Sequence, residues 1–440
     1  MNRKAIPLFI ALSLGINVYS QLSIEDCHAR ATENYPLIRQ YGLIELSHGY
    51  GISNVNKAWL PQINFSSKAS IQSDVTKIPL DFSQIPIPQI QEMQVPEMNR
   101  DQYLASLEVT QTIYDGGTSK ARRKQIKLQS DASKAELEVN LYSLKERINQ
   151  LYFGILLLDA LMEQNLHLQG ELQQNIDKVS SYIKNGLANK EDVDAVKVEL
   201  LKAKQGYIKI KYSRKSYLQM LAAFIGEPLN DDVTLQKPGG ELPNDNVTLQ
   251  KLSGELPNPA GILRPELFLF DTQIKALDAT NLEIKSDLMP KLALFLSGGY
   301  GNPGLDMLKE GFTTYLIGGV KLSWNIGNLY TVKNRQNILK TNKNSILVQR
   351  ETFIFNTSLQ KTEQETEIDK LRAMLESDDE IITLRNYIKQ TVEAKVANGT
   401  ANVNDLIHEI TAEESAILDK IMHEIEMLHA IYNLKFITNN

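Results

Sequence analysis

The residues of this chain that could do chemistry stand in a few separate places. His408-Glu409-Ile410 and His423-Glu424-Ile425 each set a histidine beside a glutamate in a helix-periodic stretch, as a zinc-binding helix begins. Neither has the second histidine four residues on that would put two ligands on one helical face. Without it, both read as helix-surface residues. Ser297-Gly298-Gly299-Tyr300-Gly301 is glycine-rich like a phosphate cradle, but it closes an alternating segment with no helix start behind it, so it predicts a turn. Asp115-Gly116-Gly117 predicts the bend from a strand into a helix, where glycine supplies backbone freedom. Asp192 and Asp405 each follow an Asn-Gly turn and fall in the first turn of a helix, where a carboxylate complements the helix dipole.

No grouping of nucleophile, base and orienting residue emerges, which argues against an enzyme. The single cysteine, Cys27, has no disulfide partner, and Glu25-Asp26-Cys27 is not a lipidation context, so it reads as a small buried helix residue. Scattered histidines and methionines form no metal-ligand cluster, and neither a metal nor a cofactor is expected.

The elements that must carry these residues come in two copies. Asn185-Gly186-Leu187-Ala188-Asn189-Lys190-Glu191-Asp192 reappears as Asn398-Gly399-Thr400-Ala401-Asn402-Val403-Asn404-Asp405. Trp59-Leu60-Pro61-Gln62-Ile63 likewise reappears as Leu288-Met289-Pro290-Lys291-Leu292. Each half therefore reads as short helix, strand, loop, strand, very long helix, Asn-Gly turn and shorter helix, a duplicated supersecondary unit. The boundaries are residues 21–226 for the first repeat, 227–262 for a linker and 263–440 for the second repeat. Ser23 to Asp26 has capping-box spacing, and Arg264-Pro265-Glu266 puts proline at the matching helix start. Within the linker, Asp232-Val233-Thr234-Leu235-Gln236-Lys237 is echoed by Asn246-Val247-Thr248-Leu249-Gln250-Lys251, a tandem copy in a surface segment.

From Leu137 the apolar residues Leu141, Leu144, Ile148, Leu151, Ile155, Leu158, Met162, Leu172, Ile176, Val179 and Ile183 keep a heptad seam. It resumes at Val193, Val196, Leu200, Ala203, Tyr207, Ile210, Tyr217 and Leu221, interrupted by Arg214. Two such helices joined at Gly186 predict an antiparallel hairpin. The absence of proline from Ser119 to Tyr182 predicts one helix about 95 Å long. The second half repeats the plan over residues 330–396 and 403–436, with a polar stretch at Thr357 to Glu367 suited to a water-filled lumen. On periodicity alone these seams fit a soluble coiled coil equally well.

Tyr103, Ala105, Leu107, Val109 and Ile113 alternate with Ser106, Glu108, Thr110 and Thr112. Leu316, Val320, Leu322, Trp324 and Ile326 alternate with Lys321, Ser323 and Asn325. Segments of about ten residues with aromatic ends and one polar face suit a transmembrane β-barrel, and equally a sandwich edge when taken singly. Residues 1–20 read as an export signal cleaved after Ser20: Arg3 and Lys4 precede an apolar stretch shorter than the roughly 20 residues a spanning helix needs. No later apolar run reaches that length, so a membrane crossing would use strands. Loss of Arg3 and Lys4 takes the net charge from −6 to −8, which disfavours a nucleic-acid partner. Four strands cannot close a barrel, so the subunit must oligomerise, with Thr76–Arg100 and Gly301–Gly311 as outward loops.

In this order the parts resemble the TolC-like outer-membrane efflux protein family from Leu22 to about Phe436. The residues carrying the resemblance are Leu22 to Cys27, Asn34-Tyr35-Pro36-Leu37, Trp59-Leu60-Pro61-Gln62, Tyr114-Asp115-Gly116-Gly117, Arg264-Pro265-Glu266-Leu267 and both Asn-Gly turns. The resemblance implies a mixed α/β membrane protein, a homotrimer whose four-strand contributions form one twelve-strand barrel above a periplasmic α-barrel of coiled-coil helices. It also implies a cell outer membrane location and three kinds of contact: a periplasmic adaptor (membrane fusion) protein, an inner-membrane pump and outer-membrane lipid.

In this family the turns at Gly186 and Gly399 lie at the periplasmic entrance, and Asp405 matches a position that carries an acidic ring. Such a ring would focus negative potential and favour cations. The dipole role of Asp192 and Asp405 remains the alternative. Some relatives close the entrance through a tyrosine before the second turn and an arginine after it. Here Lys395-Val396 and Ala401 stand there, so that network is not expected, and His408 replaces a second acid, which implies a single and pH-sensitive ring.

The function implied is the exit duct of a tripartite efflux system exporting small molecules. The alternatives are the duct of a type I protein secretion system and a periplasmic coiled-coil adaptor or spacer with no channel.

Overall fold

The computed structural model describes residues 21–75, 99–184, 186, 188–238, 261–306, 309 and 311–439. The expected export signal, residues 76–98 of the first loop and residues 239–260 of the linker lie outside these. In chain order the elements are α1 (Ile24–Asn34), α2 (Gln40–Lys57), β1 (Gln62–Ile71), β2 (Asp101–Tyr114), α3 (Thr118–Tyr142), α4 (Leu144–Lys184) and α5 (Lys190–Ile225). There follow α6 (Pro265–Ser286), β3 (Lys291–Asn302), β4 (Thr313–Ser323), α7 (Leu329–Ala397) and α8 (Val403–Thr438). The helix expected over Ser119 to Tyr182 is two helices, because Ser143 interrupts it and turns its hydroxyl onto the Asn140 carbonyl at 2.8 Å. The alternation expected through Trp324 and Ile326 stops at Ser323, with Ile326 opening a short 3-10 turn.

The chain divides into two compact units, each built from both sequence repeats. The first comprises the described parts of Met1–Ile38, Asn140–Arg264 and Phe353–Asn440. Ser23 caps α1 by accepting from the Asp26 N–H at 3.1 Å, and α1 buries Ile24, Cys27 and Ala31. They pack against Ile148, Tyr152 and Ile155 of α4, Leu218 and Leu221 of α5, and Ile425 and Leu428 of α8. A second cluster joins Leu172, Ile176 and Val179 of α4 to Val193, Val196 and Leu200 of α5, Val396 of α7, and Val403, Leu406 and Ile410 of α8. Most heptad positions are thus buried, while Leu158, Met162, Tyr207, Ile210 and Tyr217 are half-buried and Ile183 is exposed. A fully buried Leu or Ile contributes about 2 kcal/mol relative to exposure, so these apolar layers are a main source of cohesion between the helices.

The second unit comprises Arg39–Val139 and Pro265–Thr352 and holds the sheet. Its strands are antiparallel in the order β1-β2-β3-β4. Directly paired residues share a face, so the register fixes what each face carries. Ile63 pairs with Val109 and Phe65 with Leu107. Val109 then pairs with Leu296, and Leu294 with Val320. All these side chains stand on one face, and Phe65, Leu296 and Val320 are 68%, 48% and 63% exposed. The opposite face holds Asn64, Ser66, Lys68, Ser106, Glu108, Thr110 and Lys321, together with Leu104, Phe295, Tyr315 and Ile317. On it the Ser66 and Ser106 hydroxyls meet at 2.8 Å. Tyr315 lies over Gly299, its direct partner, in space that a Cβ would fill.

Among the described residues no helix is long and apolar enough to cross a membrane.

Candidate functional site

The two helix-hairpin turns are built alike. Gly186 and Gly399 have φ of +74° and +70°, the left-handed conformation that ends a helix and that glycine alone adopts without strain. Gly399 and Thr400 turn their N–H groups back onto the carbonyls of Val396 and Lys395, at 3.0 and 2.9 Å, closing the end of α7. Asn185 and Leu187, in the first turn, lie outside the described residues.

After each turn an asparagine caps the next helix. Asp405 Oδ2 accepts from the Asn402 N–H at 3.1 Å while Asn402 Oδ1 accepts from the Asp405 N–H at 2.8 Å. Asp192 Oδ2 likewise accepts from the Asn189 N–H at 2.7 Å. Both aspartates therefore engage backbone donors at a helix start, and they also put negative charge there. Asp405 is exposed, Asp192 half-buried. His408, three residues beyond Asp405, has a side chain 75% exposed, with Nδ1 3.4 Å from Glu409 Oε1.

Residues on both sides of each turn belong to the same apolar cluster, Val179 and Val193 at the first and Val396 and Val403 at the second, with Ala188 and Ala401 packed against it. The sequence reading missed the polar layer further along this bundle. Lys389 of α7, its side chain 13% exposed, donates to Glu171 of α4 at 2.7 Å and pairs with Glu413 of α8. Glu413, itself 7% exposed, also accepts from Asn386 at 2.7 Å. Burial opposes the charge of Lys389, but hydrogen bonds and attraction from the two glutamates outweigh it and raise its pKa. Beside it, burial raises the pKa of Glu414 against the opposing hydrogen bond from Gln164.

The two histidine-glutamate pairs separate in the structure. His408 is on the surface, as expected. His423 is not: its side chain is 14% exposed and Nδ1 lies 2.8 Å from Oδ2 of Asp378, which is 8% exposed. A helix that looks solvated on its own loses that water when α7 lies against α8. No group of three or more histidine, cysteine or acidic residues suited to a metal occurs among the described residues.

At the strand-to-helix turn Asp115 caps α3, accepting from Gly117 N–H at 2.9 Å and Ser119 N–H at 2.6 Å. Gly116 and Gly117 have φ of +71° and +85°. A Cβ on Gly116 would also lie 2.9 Å from Met289 Cβ and 3.1 Å from the Ser286 carbonyl oxygen, so this glycine is required twice over. The turn shapes the junction and carries no reactive group.

The sheet completes the picture. One end of its apolar face gathers Tyr103, Tyr300 and Phe312, with ring centroids 6.1 and 5.2 Å apart. At the other end Trp324 donates its indole N–H to the Leu288 carbonyl at 3.0 Å. Aromatic rings at both ends of an exposed apolar band are the layout of a lipid-facing strand set.

Residues 30–227 match the outer membrane efflux protein family. No curated protein matches the chain in sequence. Among solved structures, the outer-membrane channel OprN is similar with a TM-score of 0.65 at 15% identity, covering 94% of this chain and 89% of that one. The outer membrane protein VceC of Vibrio cholerae gives 0.64 at 12%, covering 95% and 96%. The MtrE outer membrane channel of Neisseria gonorrhoeae gives 0.62 at 15%, covering 95% and 89%. At such identities the likeness is one of fold.

Proposed function

We propose that the chain is a TolC-like outer membrane efflux protein and the exit duct of a tripartite efflux system, passing small molecules across the periplasm and outer membrane; the family match over residues 30–227 and the shared fold support this. It resides in the outer membrane and extends into the periplasm. The observation that carries the reading is the sheet, whose exposed face carries an apolar band across all four strands and whose reverse face is polar mainly on β1 and β2. A periplasmic spacer has no use for such a face.

Among the described residues β1 pairs only with β2, and β4 only with β3. Unpaired backbone groups in lipid cost several kcal/mol each, and closure takes at least about eight strands. Three copies of the four strands close one twelve-stranded barrel, each β4 pairing with the next copy's β1. The number three rests on the family resemblance. The exposed stripes Leu201, Ile208 and Tyr212 on α5 and Ile381, Leu384 and Ile388 on α7 recur at heptad spacing and supply the second contact surface. The duct would engage a periplasmic adaptor and, through it, an inner-membrane pump.

The two hairpin turns form the periplasmic entrance. Three Asp405 carboxylates around it favour cations and bind multivalent ones. Since Asp405 also caps α8, its test substitution is Asp405→Asn, which keeps an acceptor for the Asn402 N–H and removes only the charge. Planar-bilayer recordings of the detergent-extracted oligomer, with a trivalent cation added to either side, provide the readout. Wild type should open in discrete steps and be blocked from one side, Asp405→Asn should resist block, and Asp192→Asn should stay blocked. A folded oligomer that never conducts would sink the duct; undiminished block of Asp405→Asn would remove only the acidic ring. A wild-type conductance that shifts between about pH 5 and 8, and does not shift in His408→Gln, would assign the pH response to His408.

A further inference from the structure

The first linker copy is docked, and every side chain that docks it is repeated in the second. Leu235, 6% exposed, lies in a groove between α4, α5 and α8 and forms a parallel bridge with Leu22. Val233 packs beside it, and Lys237 donates to Glu424 of α8 at 3.0 Å. The remaining contacts are to backbone, which any sequence supplies. Arg214 donates to the carbonyls of Asp231 and Val233, at 2.5 and 2.7 Å, and the Tyr152 hydroxyl donates to that of Gln236 at 2.6 Å. Gln236 N–H donates to the Leu22 carbonyl at 3.1 Å. Thr234, between the anchors, is exposed.

We propose that this groove is a binding site for a Val-x-Leu-x-Lys segment and that Val247, Leu249 and Lys251 of the same chain occupy it as an alternative register. The two segments are identical over Val-Thr-Leu-Gln-Lys, and Asp231 is matched by Asp245. The chain reaches. Leu263 is held at Thr438, 14 residues along α8 from Glu424, or about 21 Å. Residues 252–262 can extend to about 36 Å.

Exchange leaves the total linker length unchanged. The stretches on either side of the anchor, 227–230 and 238–261, become 227–244 and 252–261, and by length alone loop closure favours the first register only about 2.5-fold. Leu229, which packs on the same core, has Pro243 at the equivalent place and adds to that preference. The first copy is therefore the major occupant and the second a minor one. Exchange transfers 14 residues of linker from one side of the anchor to the other.

The contact between Lys237 and Glu424 makes this testable without a reporter. A zero-length carbodiimide joins an amine to a touching carboxylate, and proteolysis with mass spectrometry separates Lys237–Glu424 from Lys251–Glu424 links. The experiment uses the full-length oligomer in detergent, assembled from light and isotopically heavy chains. Wild type should give mainly the Lys237 link. Leu235→Asp should convert it at least tenfold toward Lys251, within one isotopic chain, and keep wild-type heat resistance. Leu235→Asp with Leu249→Asp should lose both. The proposal is overturned if Leu235→Asp yields no Lys251 link, if it fails to fold, or if the Lys251 links join light chains to heavy ones.

Discussion

Arg214 of α5 and Asp159 of α4 are joined across the hairpin by two contacts, from Nε to Oδ1 and from Nη2 to Oδ2, the latter at 3.4 Å. Arg214 was the single break in the apolar seam of α5, and its side chain is only 10% exposed. Its guanidinium is satisfied there by one carboxylate and two linker carbonyls. Arg214→Met should lower the stability of the oligomer by about 2 kcal/mol, less than a wholly buried pair because Asp159 is a third exposed. Arg214→Lys should recover little of it, since the single nitrogen of an ammonium cannot span the carboxylate and both carbonyls as the three guanidinium nitrogens do. Denaturant midpoints of the three proteins decide this.

Lys389 bridges three helices, and its removal leaves Glu413 buried without a counter-charge. Lys389→Met should cost about 3 kcal/mol, and Lys389→Met with Glu413→Leu should recover most of that, because the orphaned charge is then gone. A double-mutant cycle that shows simple additivity would mean the layer is not coupled.

On the sheet, position 320 faces the apolar side and position 321 the polar side. Val320→Arg should oppose insertion by about 2–4 kcal/mol if the residue sits near mid-bilayer, while Lys321→Ala should leave insertion intact and alter single-channel conductance. Folding yield into liposomes and bilayer recordings separate the two effects.

Two histidines in the helical bundle are depressed by burial. His28 is half-buried beside Asn149, whose Oδ1 is 2.8 Å from Nε2 and partly offsets the shift; His429 lies against Phe153, with centroids 5.5 Å apart. A histidine whose folded pKa lies below its unfolded value takes up a proton more readily when unfolded. The stability it contributes is therefore complete above about pH 6.5 and is lost as pH falls through the folded pKa values. The oligomer should denature more easily at pH 5 than at pH 7.5, and His28→Gln with His429→Phe should flatten that difference. An unchanged pH slope in the double variant would exclude these two groups as its source.

The four positive-φ glycines of the turns should rank by their surroundings. Gly117 and Gly186 have open space where a Cβ would go, so alanine there costs about 1 kcal/mol from backbone strain alone, and Gly399 at φ +70° carries the same strain. Gly116→Ala adds a clash with Met289 and should cost clearly more. Thermal midpoints of the four variants measure the order.

Much of this architecture was legible in one dimension because its signals are periodic or local. A heptad seam marks the buried stripe of a helix whatever it packs on, so Ile148, Ile155, Val196 and Leu200 could be named as core without knowing their partners. Alternation at period two likewise sorted Leu107 from Glu108, and the Asn-Gly turns followed by aspartate marked the capped helix starts at Asp192 and Asp405. The break at Ser143 was not legible, since serine is tolerated inside helices and only packing shows where one is interrupted.

What the sequence determined by itself, then, is which residues are turned inward, where helices begin and end, and that the plan is duplicated, because these depend on spacing along one chain. The tertiary structure decided which distant polar groups meet: Arg214 with Asp159, Lys389 with Glu171 and Glu413, and His423 with Asp378. It also decided that Val233 and Leu235 pack on the helical core. A charge in an apolar seam is an exception when read along the chain. It becomes a requirement only when the partner that takes it out of water arrives from another helix.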